Sequence, residues 1–338
     1  MTKKFEKNNE LLITISQQLQ DIETNLNKIN EDDLFTLQKI HREICNISRT
    51  PKGNFFKLLY NSTSSKIYTG GQRFELELQE RFKNKLFLDG FGYKVYSQND
   101  EDGIINEIFN RIGTTNKKFI EIGIENGSEC NSHLLLDTGW SGLWIEGNSE
   151  QRNLTEDTFK KYFQSNKISL VNAFITKDNI NNILEENTDT PDLDLFSLDI
   201  DGNDWYVMKS ILEAKKINPR VIILEYNPLI PPSVNQDDFS TDFIMEYDEN
   251  WHWPNSEHPI DYYGASLSAF YHLLKEYDYQ LVGTCTMGVN AFFVKKELAE
   301  DKFPTDTKAA ATFYNPYRLL TRYITAGHLS YQNMHFAY

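Results

Sequence analysis

No stretch of the chain approaches the run of about 18 apolar residues that would span a bilayer, so no membrane span is expected. The opening residues, MTKKFEKNNELL, lack the apolar core of a secretory signal. Cysteine is scarce: Cys45, Cys130 and Cys285 are widely separated, with no C-x-x-C pair. That excludes a disulfide framework and makes a reducing, cytoplasmic setting the expectation. Basic residues are in deficit, 34 against 49 acidic, giving a formal charge of −15 with no long run of Lys and Arg. A generally acidic protein suits neither a phosphate backbone nor an anionic membrane, so neither is expected as a partner. The G-x-G-x-x-G of a dinucleotide site is missing, and no internal repeat is evident.

What is present suits one large α/β domain with accessory pieces. Residues 1–50 read as a helical, coiled-coil-like segment. Leu12, Ile15, Leu19, Ile22, Leu26 and Ile29 alternate spacings of three and four, and Leu34, Leu37 and Ile44 resume the pattern after NEDD at 30–33. Two chains could pair here into a homo-oligomer, the segment could fold back as a helical hairpin, or one amphipathic face could pack on its own domain. Residues 51–95 read as a connecting region, 96–300 as the main domain and 301–338 as a C-terminal extension. In the main domain DEDGIINEIFNRIG reads as an amphipathic helix. Five apolar runs then alternate with helical ones: KKFIEIG, SGLWIEG, ISLVNAFI, LDLFSLDI and RVIILEYN. The helix SLSAFYHLLKEY follows, then two strands within YQLVGTCTMGVNAFFVKK. The expected fold is α/β: a doubly wound, mostly parallel, seven-stranded Rossmann-like sheet with a terminal antiparallel hairpin, plus the N-terminal helical segment. Class I S-adenosylmethionine (SAM) methyltransferases share that arrangement, a fold analogy that assigns no function.

Ligands of such sheets sit beyond the carboxyl ends of the strands. After the first strand, Gly123 and Gly127 would let the backbone turn tightly against a ligand. Glu121, an acid inside an apolar run, would meet a cationic amine. Glu146, roughly 20 residues past the glycine turn, is placed to accept hydrogen bonds from ribose hydroxyls. NAD shares these two features, and the loop spacing and terminal hairpin favour SAM. Asn172 would lie near an adenine edge. After the fourth strand come Asp199, Asp201 and Asp204; if the strand runs that far, alternation sends Asp199 and Asp201 to one side. Asp204 would cap the next helix. Glu225 and Asn227 end the neighbouring strand. Together, Asp199, Asp201, Glu225 and Asn227 would suit Mg²⁺ or Mn²⁺. Without metal, Asp199 would be the general base, with Asp201 and His252 as further catalytic candidates. The stretch 228–261 is too long for a connector. Its Phe239, Phe243, Tyr247, Trp251 and Trp253 suit a sugar ring or form a small core of their own.

The set YSQNDEDGII, FIEIGIENGSECNS, GLWIEGN, LDIDGNDWY, ILEYNP and YYGASLSAF…GVNAFFV, in that order over roughly 95–297, resembles FkbM-like SAM-dependent methyltransferases of a bacterial glycan-associated branch. The chain departs from the family's D-x-E-G-x-E, having Asp199-Ile-Asp201-Gly202-Asn203-Asp204. The resemblance implies that Gly123 and Glu146 contact SAM and that Ser97, Gln98, Glu101 and Asp102 cover its methionine end. The more distantly similar macrocin-type O-methyltransferases imply Mg²⁺ held after the fourth and fifth strands, where Glu225 and Asn227 replace paired aspartates. The expected function is methyl transfer from SAM to a hydroxyl of a sugar, in capsular polysaccharide or lipopolysaccharide synthesis. The partner would be a small-molecule or glycan acceptor. The alternatives are a nucleotide- or nucleotide-sugar-binding Rossmann enzyme and a non-catalytic scaffold of glycan synthesis.

Overall fold

The computed structural model describes residues 83–230, 243–252, 262–286, 288–305 and 309–314. All of them fall within one unit of the chain, Glu75–Tyr338. The heptad pattern of residues 1–50, most of the connecting region, Phe239, Trp253 and most of the C-terminal extension lie outside the described residues.

In chain order the elements are α1 (Glu101–Ile112), β1 (Lys118–Ile122), α2 (His133–Asp137), β2 (Ser141–Glu146), α3 (Ser149–Thr158), α4 (Lys160–Gln164), β3 (Ile168–Asn172) and α5 (Ile180–Asn187). There follow β4 (Asp192–Leu198), α6 (Asp204–Ala214), β5 (Asn218–Glu225), α7 (Leu267–Lys275), β6 (Tyr279–Thr284), β7 (Asn290–Lys295), α8 (Lys296–Ala299) and α9 (Ala309–Phe313). The seven strands form one sheet in the order β3-β2-β1-β4-β5-β7-β6. β1 to β5 run parallel, and β7 enters antiparallel between β5 and β6. The fold is therefore the doubly wound, Rossmann-like sheet with a terminal antiparallel hairpin.

The strands read as continuous apolar runs because both faces are covered. Successive side chains alternate sides, so Ile120, Phe196 and Ile222 join one core while Phe119, Leu195 and Val221 join the other. Each such side chain, when fully buried, is worth about 1.5–3 kcal/mol. Leu88, from the connecting region, is fully buried against Gly283 of β6, and Phe313 of α9 is buried in the first core.

The amino edge is pinned by Asp194. Its carboxylate accepts from the backbone N–H groups of Thr115, Asn116 and Lys117 and pairs with Arg220 at 2.6 Å. At the opposite edge β1 and β4 are adjacent, and the strand order reverses there. That reversal opens a crevice at the carboxyl ends.

Candidate active site

Gly123 ends β1 with φ +80°. A Cβ there would fall 1.5 Å from the carbonyl oxygen of Asp199, and the Asp199 N–H donates to Ile122 O at 3.1 Å. The glycine is needed for the close approach of its own chain at the end of β4. Gly127 has a similar cause: its Cβ would meet Phe159 and the Trp144 indole at 2.9 and 3.1 Å.

Glu121 corrects the expectation of a ligand amine. Its carboxylate is buried and accepts from the N–H groups of Asn131 (2.7 Å) and Ser132 (2.8 Å) and from the Ser132 hydroxyl. It holds the loop that enters α2. Burial raises its pKa despite these donors.

Glu146 is half-buried at the end of β2. One oxygen accepts from Glu125 N and the other from Asn148 N, both at 2.7 Å. A carboxylate offers about four acceptor positions, so two remain for a pair of hydroxyls. Desolvation pushes its pKa up. Asn172 lies opposite Glu146 in the β2–β3 register and donates to its carbonyl at 2.8 Å, which ties the two strand ends together.

β4 stops at Leu198, so strand alternation does not carry Asp199 and Asp201 to one side. A turn does: Asp201 is left-handed, φ +58°. Asp199, Asp201 and Glu225 each bring a carboxylate oxygen within 4.8 Å of the others. Asp199 hydrogen-bonds Glu225, and its pKa is raised well above the carboxylate range by burial and then by the charges of Asp201 and Asp204. Asp199 is thereby biased toward its protonated form unless a cation offsets the neighbouring charges. Three hard oxygen donors from two adjacent strand ends fit a divalent metal.

Asn227, the fourth expected ligand, is spent elsewhere. It is fully buried, its amide donates to Tyr263 O at 3.1 Å, and its oxygen accepts from Leu229 N at 3.0 Å. Asp204 does not cap the amides ahead of it. From the first position of α6 it reaches back to Ile200 N and Gly202 N, closing the loop, and burial lifts its pKa to about 7.

Residues 92–100 form a strap tied down by the first acids of α1. Asp102 accepts from the N–H groups of Val95, Tyr96 and Ser97 at 2.7–2.9 Å. Glu101 is fully buried, bonded to Asn99 N, Asn99 Nδ2 and Asn290 Nδ2. These two acids organise the strap expected to cover a cofactor's methionine end; Gln98 is exposed on it. Asp100 bonds Thr286 N, and burial followed by the Glu101 charge raises it to about 6.

The long loop takes the second of its two expected forms. Trp251, Phe243, Tyr262, Tyr263 and Met245 pack as a separate core, and Tyr247 meets Tyr206 edge-on. Trp251 and Phe243 are therefore part of a small core of the loop's own. The Trp251 indole N–H donates to Asp201 O at 2.9 Å and covers Gly202, bracing the turn that presents Asp201. His252 is exposed, with Nδ1 at 3.2 Å from Asn250 O, a turn contact that gives it no catalytic partner assignment.

Asn290 has no role assigned from the sequence, and Trp251 is read only as one of the loop's aromatics. Asn290, opposite Glu225 in the β5–β7 register, donates its side-chain amide to Glu101 at 3.0 Å. Its signal was an amide opening an otherwise apolar strand. Trp251 had no local signal, because its partner lies fifty residues earlier.

No protein-family model matches the chain, and no curated protein does. Among solved structures, an O-methyltransferase from Bacillus cereus in complex with S-adenosylhomocysteine (SAH) is 11% identical, covering 68% of this chain and 97% of its own, with a TM-score of 0.39. An SAH-bound methyltransferase from Podospora anserina is 15% identical over 56% of this chain and 76% of its own, TM-score 0.35. Likeness at these scores carries no argument about chemistry.

Proposed function

We propose that the chain is a SAM-dependent O-methyltransferase acting on a hydroxyl of a sugar, assisted by Mg²⁺ or Mn²⁺. The observation that carries the reading is the convergence of Asp199, Asp201 and Glu225 at the strand ends beside the β1–β4 crevice. Glu146, with two acceptor positions left, would hold the ribose hydroxyls, and Asn172 would stand by the adenine. SAM supplies, when bound, a methyl group activated by its sulfonium.

An alcohol is a weak nucleophile while protonated. Asp199 is the residue to relieve it: in its ionised form its carboxylate would accept the hydroxyl proton as the oxygen–methyl bond forms and the methyl–sulfur bond breaks. Asp201 and Glu225 would share the cation and favour the ionised hydroxyl. Asp204, Gly123 and Trp251 hold this geometry through contacts within the chain.

The sugar acceptor, and its place in capsular polysaccharide or lipopolysaccharide synthesis, rest on the resemblance to FkbM-like enzymes. Isothermal titration with SAH tests the cofactor directly: binding at micromolar to millimolar concentration is expected, and no heat at millimolar SAH refutes it. Asp199→Asn should abolish turnover while SAH binding persists. An active Asp199→Asn variant would remove its role as base.

A further inference from the structure

The three acids of the candidate metal site are not held alike. Asp199 and Glu225 are fixed by the sheet: the Asp199 N–H donates to Ile122 O at 3.1 Å, and Glu225 is the last residue of β5, in register with Asn290 of β7. Asp201 belongs to no strand or helix and is the exposed member of the trio. Its left-handed φ of +58° is disfavoured for any residue with a side chain, so the turn needs support from outside itself.

Two sets of contacts supply it. From the inside, the Asp204 carboxylate accepts from the N–H groups on either side of Asp201, those of Ile200 at 2.9 Å and Gly202 at 2.8 Å. From the outside comes the tip of the long loop, residues 248–251. The tip is itself a turn, closed by Trp251 N–H to Asp248 O at 3.0 Å and by Asn250 N–H to Asp248 Oδ1 at 2.9 Å. It docks on the acid turn at both ends. The Trp251 indole N–H donates to Asp201 O at 2.9 Å. Asn203 Nδ2 donates to Asp248 O at 2.6 Å, and the Asp248 N–H donates back to Asn203 Oδ1 at 3.3 Å.

Gly202 shows how close the docking is. It is not among the glycines with positive φ, so no left-handed backbone demands a glycine there. A Cβ at 202 would instead fall 2.1 Å from Trp251 Cδ1 and 2.3 Å from its Nε1. The missing side chain is the space the indole fills.

The base of the loop is held separately. Tyr206 Oη donates to Met245 O, and the Met245 N–H to Gly264 O, both at 3.0 Å. The tip can thus loosen or tighten on the acid turn while its base stays in place. Trp251 grips the main-chain carbonyl of Asp201, so it orients the side chain without using the carboxylate in that bond. Partners that orient a metal ligand from behind set metal affinity by about 10–100-fold. Coupling between two sites is reciprocal, so whatever the tip does for a cation the cation does for the tip.

We propose that the loop tip and the cation site form one binding unit, with Trp251 and Asn203 as positioning residues for Asp201. The docked tip raises cation affinity, and a bound cation fixes the tip. This rests on the reading of Asp199, Asp201 and Glu225 as a metal site. The test is Mn²⁺ binding by paramagnetic resonance on the full chain without SAM. Affinity should fall about tenfold in Trp251→Phe, which removes the N–H and keeps an aromatic ring, and in Asn203→Ala. It should be unchanged in Phe243→Leu, which loosens the same small core from its Tyr262 side. In the native chain, saturating Mg²⁺ should slow amide hydrogen exchange over residues 245–252 and leave 113–117, at the amino edge, unaffected. That measurement decides the matter even where a variant fails to fold. Equal Mn²⁺ affinity in the native, Trp251→Phe and Asn203→Ala proteins, an equal loss in Phe243→Leu, or loop exchange indifferent to bound cation would each overturn the coupling and leave the metal reading standing. No Mn²⁺ binding by the native chain would overturn both.

Discussion

Replacing Gly123 by Ala tests the contact on which the crevice is built. Two costs add. A non-glycine residue at φ +80° pays about 1–2 kcal/mol for the left-handed conformation. The new Cβ would also sit 1.5 Å from the Asp199 carbonyl oxygen, where ordinary contact needs roughly 3.4 Å, so one strand end must retreat by about 2 Å. Overpacking of this kind costs about 1–3 kcal/mol, and here the obstacle is backbone, which cannot rotate away. The sum is about 3 kcal/mol.

Gly139 supplies the control. Its φ is +90° and nothing lies within 4 Å of its Cβ position, so Gly139→Ala pays only the conformational cost, about 1 kcal/mol. Urea unfolding of the full-length chain, followed by tryptophan fluorescence without ligand, should separate the two variants by about 2 kcal/mol. Equal destabilisation of both would refute the claim that Gly123 serves the β1–β4 approach. A Gly123→Ala defect visible only with SAM present would restore a ligand-facing role.

Three other outcomes are expected. The folded-state pKa of Asp204, about 7, lies above its usual 3.8, so its contribution to stability is full below about pH 4 and lost as pH rises through 7. Asp204→Asn should therefore gain on the native protein between about pH 4 and 7, at up to about 1.4 kcal/mol per pH unit; a pH-independent difference refutes this. Arg220→Met leaves the buried Asp194 carboxylate without its cation and should destabilise by about 3 kcal/mol in thermal or urea unfolding, with SAH affinity unchanged because the pair sits at the amino edge. Glu225→Gln should weaken Mn²⁺ binding at least tenfold in a paramagnetic-resonance titration, and equal affinity in both proteins would dismiss the acid trio as a metal site.

Period and punctuation were enough to read the sheet. Runs such as FIEI and VIILE, apolar on both faces and separated by amphipathic helices, leave few arrangements other than a covered parallel sheet, and acids after such runs mark its carboxyl edge. Local sequence could not say what each acid does there. Glu121 is an acid in an apolar run, Glu101 enters through the family resemblance and Asn227 ends a strand, yet each accepts from amides of its own chain. A buried carboxylate's chemistry depends on its donors, and those come from elsewhere: Ser132 for Glu121, Asn290 for Glu101.

By itself, then, the sequence determined the strand pattern and which strand ends carry charge, because those follow from side-chain alternation and local turn chemistry. Only the tertiary structure decided that Asp199, Asp201 and Glu225 meet, through a left-handed turn at Asp201 that Trp251 braces. That outcome depends on distances between segments far apart in the chain, which no local spacing encodes.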